Sequence, residues 1–140
     1  MTILDTNILS EVMATSPSAT ALAWISNRRL IDPLFTTTIS MAEILYGVEL
    51  LPPGKRRDRL NTEAQAMFAE DFRGHILLFD EAAARSFSVI AAERRRHGKP
   101  IAALDAQIAA IAHAHAAVLA TRNTADFEGC GLQLINPWLD

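Results

Sequence analysis

Four carboxylates carry the chemistry this sequence could do: Asp5, Glu43, Asp105 and Asp126. Asp5 closes the apolar run Ile3-Leu4 and opens Asp5-Thr6-Asn7. Glu43 interrupts the helical pattern from Ile39 to Gly47, Asp105 follows Ala102-Ala-Leu104 into an Ala/Ile-rich stretch, and Asp126 precedes Phe127. The first three have no local cation: no Lys or Arg occurs before Arg28, between Arg29 and Lys55, or between Lys99 and Arg122. An isolated ionised carboxylate in apolar surroundings costs several kcal/mol or protonates, so these acids call for a cation from elsewhere. If they converge in space, a hard divalent ion suits them, because Mg²⁺ takes carboxylate oxygens together with water. The chemistry implied is metal-dependent attack on phosphodiesters.

Converging acids need elements that end near one another. Thr2 to Asp5 reads as a short buried strand with Asp5 at its carboxyl end and Thr6 or Asn7 able to cap the next helix. Ser16-Pro17 reads as the start of a second helix, through Arg29, with Leu22 and Ile25 on one side and Trp24 beside them. Leu34 to Thr38 has strand composition, Ser40 to Leu51 is helical, and Pro52-Pro53-Gly54 stops it. A long amphipathic helix is expected from Lys55 to about Phe72, with Leu60, Ala64, Met67 and Phe68 as its apolar stripe. His75 to Phe79 is a third strand, and Asp80 caps a helix running to about Arg96. Asp105 begins another helix, and Ala117 to Ala120 and Gln133 to Ile135 are the last strands. Strands alternating with helices predict an α/β fold, a parallel sheet of four to five strands with helices on both faces. Ligands of such sheets gather beyond the carboxyl ends of the strands, where Asp5 and the loop from Thr121 to Asp126 fall.

The 140 residues fit a single domain, 1–140, with a sizeable core: half the chain is hydrophobic and 21% is charged. No apolar stretch approaches the roughly 18 residues that span a bilayer. The lone Cys130 cannot form an internal disulfide, which fits a reducing cytoplasm. The net charge of −3 becomes +1 once the four acids are set aside, and basic residues cluster at Lys55–Arg59 and Arg94–Arg96, so a nucleic-acid substrate is permitted. Arg94 to Arg96 fan over about 200° of a helix and read as a solvated helix end. His113 and His115, two apart on a helix, cannot share a face and read as packing or surface residues. Each acid also has a plainer role open to it: Asp5 or Asp105 as a helix cap, Glu43 as a solvated boundary residue, Asp126 as an exposed partner of Arg122.

The segments Ile3-Leu-Asp5-Thr6-Asn7-Ile8-Leu9-Ser10-Glu11, Thr38-Ile-Ser-Met-Ala-Glu43-Ile-Leu-Tyr-Gly47, Leu104-Asp105-Ala-Gln-Ile108, Thr121-Arg122-Asn123-Thr-Ala-Asp126-Phe127 and Asn136-Pro137-Trp138 resemble, in order, PIN-domain ribonucleases of the VapC toxin type, particularly the FitB-like branch. The resemblance implies an α/β/α sandwich and a toxin of a toxin–antitoxin module that hydrolyses RNA. It implies Asp5, Glu43 and Asp105 as the acidic triad binding Mg²⁺ or Mn²⁺, with Asp126 as a fourth acid. Thr6, Asn7, Thr121 and Asn123 match polar residues that support the acids or contact substrate and water. It also implies a homodimer and a cognate antitoxin whose tail lies in a helical groove; Trp24 and Leu22 are candidate lining residues.

Three other functions compete. A receiver-like signalling domain also uses Mg²⁺ and acids at strand ends, with Asp80 as a candidate phosphoacceptor, but such a domain wants adjacent acids after its first strand, where this chain has Asp5-Thr6. A PIN fold that binds RNA without cutting is opposed by the intact set of acids. A structure-specific DNA nuclease is opposed by the absence of an arch or clamp insertion.

Overall fold

In the computed structural model, which covers residues 1–140, β1 (Thr2–Leu4), β2 (Leu34–Thr37), β3 (Ile76–Leu77), β4 (Val118–Ala120) and β5 (Leu134–Ile135) form one sheet in the order β3-β2-β1-β4-β5. Every pairing is parallel. Six helices connect and flank the strands: α1 (Thr6–Val12), α2 (Ala19–Arg29), α3 (Thr38–Glu49), α4 (Lys55–Ala66), α5 (Glu81–Arg96) and α6 (Ala103–Ala114). The expected α/β class and parallel sheet are observed, with five strands.

Alternation along the short strands feeds two cores. Ile3 and Leu119 face Ile108, Ile111 and Phe127 on the α5–α6 side, while Leu4, Leu34 and Ala120 face Ile8, Leu9, Ile44 and Phe68 on the other. Ala106, Ala109, Ala110 and Ala112 are wholly buried on α6, and these small side chains let that helix lie close to the sheet and to α5.

Several starts differ from the sequence expectation, each for a local reason. Asp5, not Thr6 or Asn7, caps α1: its extended backbone (φ −72°, ψ 163°) lets the carboxylate accept from Thr6 N. Ser18, not Ser16, caps α2, accepting from Ala21 N, and the buried positions of that helix are Ala21 and Ile25. Asp105 does not open α6; Ala102 holds the cap position, and Asp105 lies in the first turn. The long helix from Lys55 is α-helical only to Ala66 and continues as a π-helical turn over Met67–Asp71, which puts both Met67 and Phe68 into the core. Asp80 caps α5 as expected, accepting from Ala83 N.

Candidate active site

The strand order reverses between β1 and β4: the chain leaves β1 for β2 on one side and returns to β4 on the other. In doubly wound sheets that reversal opens a crevice at the carboxyl ends, because the two connections diverge to opposite faces. Asp5 follows β1 and Thr121 follows β4, so both stand in the crevice. They are bonded across it: Thr121 Oγ1 donates to Asp5 Oδ2 at 2.8 Å.

Around this bond the sequence-predicted polar residues form one network. Asp5 Oδ1 accepts from Thr6 N at 2.8 Å, and Oδ2 accepts a second bond from Asn7 Nδ2 at 3.2 Å. Asn7 Nδ2 also reaches Thr121 Oγ1, and Asn7 Oδ1 accepts from Arg122 N. The backbone N–H of Asn123 donates to Thr121 Oγ1 at 3.1 Å, so Asn123 contributes through its main chain while the residue itself is exposed. Thr6 Oγ1 donates to Glu43 Oε1 at 2.8 Å and lies 2.9 Å from Ser40 Oγ, which ties α1 to α3.

Asp105 enters from the first turn of α6, half-buried, and Asp126 from the 3-10 turn Thr124–Phe127 beyond β4, exposed as expected. Their electrostatics join them to the network. Burial lifts the Asp5 carboxyl above its ordinary range; bonds from Thr121, Thr6 N and Asn7 pull it down, and the charge of Glu43 pushes it up. Burial also lifts Asp105, followed by the charges of Asp5 and of Asp126. None of the four acids forms an ion pair. The site is therefore a cluster of like charges with nothing opposite in contact.

The donors are all hard oxygens, the chemistry a divalent cation such as Mg²⁺ or Mn²⁺ prefers. No three of the carboxylates close on one point as a ready chelate. Mg²⁺ does not require that, since it is commonly held by one or two carboxylates and retains water in its remaining positions.

Beside Glu43 and Thr6 lies a cleft of about 500 Å³ between α1, α3 and α4, lined in part by Met13, Ile44, Leu60 and Arg56. Trp24 belongs to a different, shallow cleft with Asn27 and Pro137, and Leu22 lines neither, so α2 does not border the cleft next to the acids.

The PIN domain family model matches residues 2–128. The chain belongs to the PIN-domain family. Among curated relatives of this PIN chain, VapC ribonuclease Y4jK of Sinorhizobium fredii is 38% identical over 138 residues, covering 99% of this chain and 98% of the relative. Toxin FitB of Neisseria gonorrhoeae is 36% identical over 140 residues, covering all of both chains. The crystal structure of FitAcB from Neisseria gonorrhoeae superposes with a TM-score of 0.91 at 36% identity over the whole of both chains. A structure of FitAB bound to an IR36 DNA fragment gives 0.90 at 37% identity, covering 99% of this chain and 96% of that one.

These findings set aside the receiver-like reading. Asp80 caps α5 beyond the edge strand β3, outside the crevice that holds the acids.

Sequence reasoning missed one residue of the PIN site and one that bonds the turn carrying Asp126. Ser40 is fully buried against Thr6, and its place three residues before Glu43 on α3 was a usable signal. Arg94, expected at a solvated helix end, is only 8% exposed and bonds the carbonyls of Lys99, Asp126 and Glu128. Its signal was the stripe Ala83, Phe87, Ile90, Arg94, which runs at helical spacing into the core. Arg95 and Arg96 are exposed, as expected, and His113 is exposed with its Nδ1 3.0 Å from Ser86 Oγ.

Proposed function

We propose that this PIN-domain protein is a divalent-metal-dependent endoribonuclease and the toxin of a toxin–antitoxin module. What supports the proposal is Asp5, bonded across the β1–β4 crevice to Thr121, with the charge of Glu43 acting on it, its own charge and that of Asp126 acting on Asp105, and none of the four in an ion pair. The names of the relatives, a VapC ribonuclease and a FitB toxin, support the same activity.

Asp5, Glu43 and Asp105 would hold Mg²⁺ or Mn²⁺, with Asp126 at the rim. The bound ion supplies a lowered pKa for water and neutralisation of the scissile phosphate. The chain's own contribution is orientation. Thr121, Asn7 and Thr6 N bond both oxygens of Asp5 and would hold its carboxylate in one orientation for an ion. Thr6 fixes Glu43 from the neighbouring helix. Asn123, exposed at the loop after β4, would meet substrate or water. The protein needs no nucleophilic side chain.

A cognate antitoxin is the expected partner, supported by the FitAB and FitAcB complexes that this chain resembles over nearly its full length. Its tail would lie in the α1–α3–α4 cleft, where an Arg or Lys could reach the unpaired acids. A homodimer is expected as well. No helix is long and apolar enough to cross a membrane, and a cytoplasmic location is part of the proposal.

The deciding experiment is cleavage of defined transfer and ribosomal RNAs with Mg²⁺, Mn²⁺ or chelator. Initiator tRNA is a suitable first substrate, because a Shigella flexneri relative named tRNA(fMet)-specific endonuclease VapC is 27% identical over 135 residues. Cleavage that needs the metal and disappears in Asp105→Asn supports the proposal. RNA binding without cleavage under any metal would leave a non-catalytic RNA-binding PIN fold.

A further inference from the structure

Arg94 is a buried cation with no carboxylate against it. Its Nε donates to Lys99 O at 2.7 Å, and Nη1 donates to Asp126 O at 2.9 Å and Glu128 O at 2.7 Å, with Cys130 Sγ at 3.7 Å. Residues 128–130 lie against the side chain: Glu128 O and Cys130 Sγ bond it, and a Cβ at Gly129 would sit 3.6 Å from Arg94 Cδ in ordinary contact, so it is the φ of +76° that favours glycine there. A buried guanidinium costs several kcal/mol unless it is fully engaged. Here it is engaged by main chain from two segments: the lead-in to α6, which carries Asp105, and the turn that carries Asp126.

We infer that Arg94 is a positioning residue for the acidic site, clasping the Asp126 turn to the start of α6 so that these two acids face each other. The inference rests on the nuclease proposal for its consequence, a shared hold on the metal, and on the geometry for the clasp itself. A planar fork reaches several carbonyls from one stem, whereas a lysine offers one nitrogen on a compact head. Arg94's bonds go to the carbonyls of Lys99, Asp126 and Glu128 and to none of the acids' carboxylates, so it would act only through the Asp126 turn and the α6 lead-in.

The test compares wild type, Arg94→Lys, Asp126→Asn and the double variant. Arg94→Met would strand all the acceptors and could unfold the chain; Arg94→Lys keeps the charge and part of the bonding, and a thermal melt confirms its fold. Amide exchange is followed in metal-free protein, and Mn²⁺ binding is followed by the spin resonance of the free ion. Arg94→Lys is expected to speed exchange at the Asp126 and Glu128 amides about tenfold while Ile108 to Ala112 on α6 keep their protection, which a global stability defect would not do. Mn²⁺ affinity is expected to fall about tenfold, in the range seen for residues behind metal ligands. The fall should vanish in the Asp126→Asn background, since residues on one path are non-additive. Unchanged loop exchange, unchanged Mn²⁺ affinity or multiplying losses in the double variant would overturn the inference. A wild type that binds Mn²⁺ and cuts RNA while Arg94→Lys behaves identically overturns this inference alone. A wild type that does neither overturns the nuclease proposal and this consequence together.

Discussion

Thr121→Val removes the bond that spans the β1–β4 crevice while keeping the side chain's shape. Thr121 is fully buried and donates to Asp5 Oδ2 at 2.8 Å, so valine fills the same volume and leaves that oxygen with the longer Asn7 bond alone. A hydrogen bond to a charged group contributes about 1.5–3 kcal/mol, against about 0.5–1.5 kcal/mol to a neutral one. The loss should therefore depend on pH. Burial already holds the Asp5 carboxyl above 3.8, and removing the strongest bond that opposes this lifts it further. At a pH low enough to protonate Asp5 in the folded state, the variant loses only a neutral bond. As pH rises through the folded-state value, wild-type Asp5 ionises against Thr121 while the variant's Asp5 ionises with less support, so the deficit grows. Urea melts of metal-free protein at pH 7 should show a loss of about 1.5–3 kcal/mol, and melts near pH 4 a loss about half as large. The lost acceptor for Asn7 and Asn123 adds a pH-independent part common to both. A deficit equal at both pH values, or below about 0.5 kcal/mol at pH 7 against the 1.5–3 expected for a charged-group bond, would refute the claim that Thr121 serves the ionised form of Asp5.

Asp105→Asn should abolish metal-dependent RNA cleavage without lowering the melting temperature of metal-free protein, because its side chain accepts no hydrogen bond and feels two like charges; a large drop on melting would assign it a structural role. Metal-free wild type should lose stability as pH rises from about 4. Asp5 and Asp105 have folded-state values raised above the unfolded 3.8, so the folded state holds more protons in that window, and a stability curve flat in pH would contradict both shifts. Adding Mn²⁺ at about a hundred times its dissociation constant at pH 7 should restore about 2.7 kcal/mol, and chelator should remove it. Thr6→Val should weaken cleavage by freeing Glu43 while leaving Asp5's own bonds to Thr121 and Asn7 in place; undiminished activity would show that Glu43 needs no fixing. Binding of the cognate antitoxin should suppress cleavage and weaken when the basic residue of its tail is neutralised, measured by inhibition at fixed salt.

The parts of the site written in short range were legible. Asp5 at the end of an apolar run, with Thr6 and Asn7 behind it, encodes a strand end and a helix start in three residues, and the structure keeps both. Only the cap was left open between Asp5 and Thr6 or Asn7, because all three types cap well and the deciding factor is which of them has extended backbone. Asp105 was misplaced by two residues for the opposite reason. Ala102, a poor capping residue, holds that position without any side-chain bond, so nothing in the sequence marks where the helix begins. The change of the long helix into a π-helical turn at Met67 was invisible because it goes with burying both Met67 and Phe68, a demand of tertiary packing rather than of local preference.

Arg94 shows how a position and its residue type can point in opposite directions. Its type and its neighbours Arg95 and Arg96 argue for water, and its place on the Ala83–Phe87–Ile90 stripe argues for the core. Position prevails because α5 packs along its length on α6, so a residue at that phase is covered whatever its charge. A cation can be retained there because the lead-in to α6 and the turn after β4 leave the carbonyls of Lys99, Asp126 and Glu128 free to accept from it. The irregular loop and the buried arginine thus explain each other: the loop supplies acceptors that no regular element has free, and the arginine supplies the order that the loop cannot generate from its own hydrogen bonds. Asp126, on the 3-10 turn just before it, is bonded through its carbonyl by a residue 32 positions away.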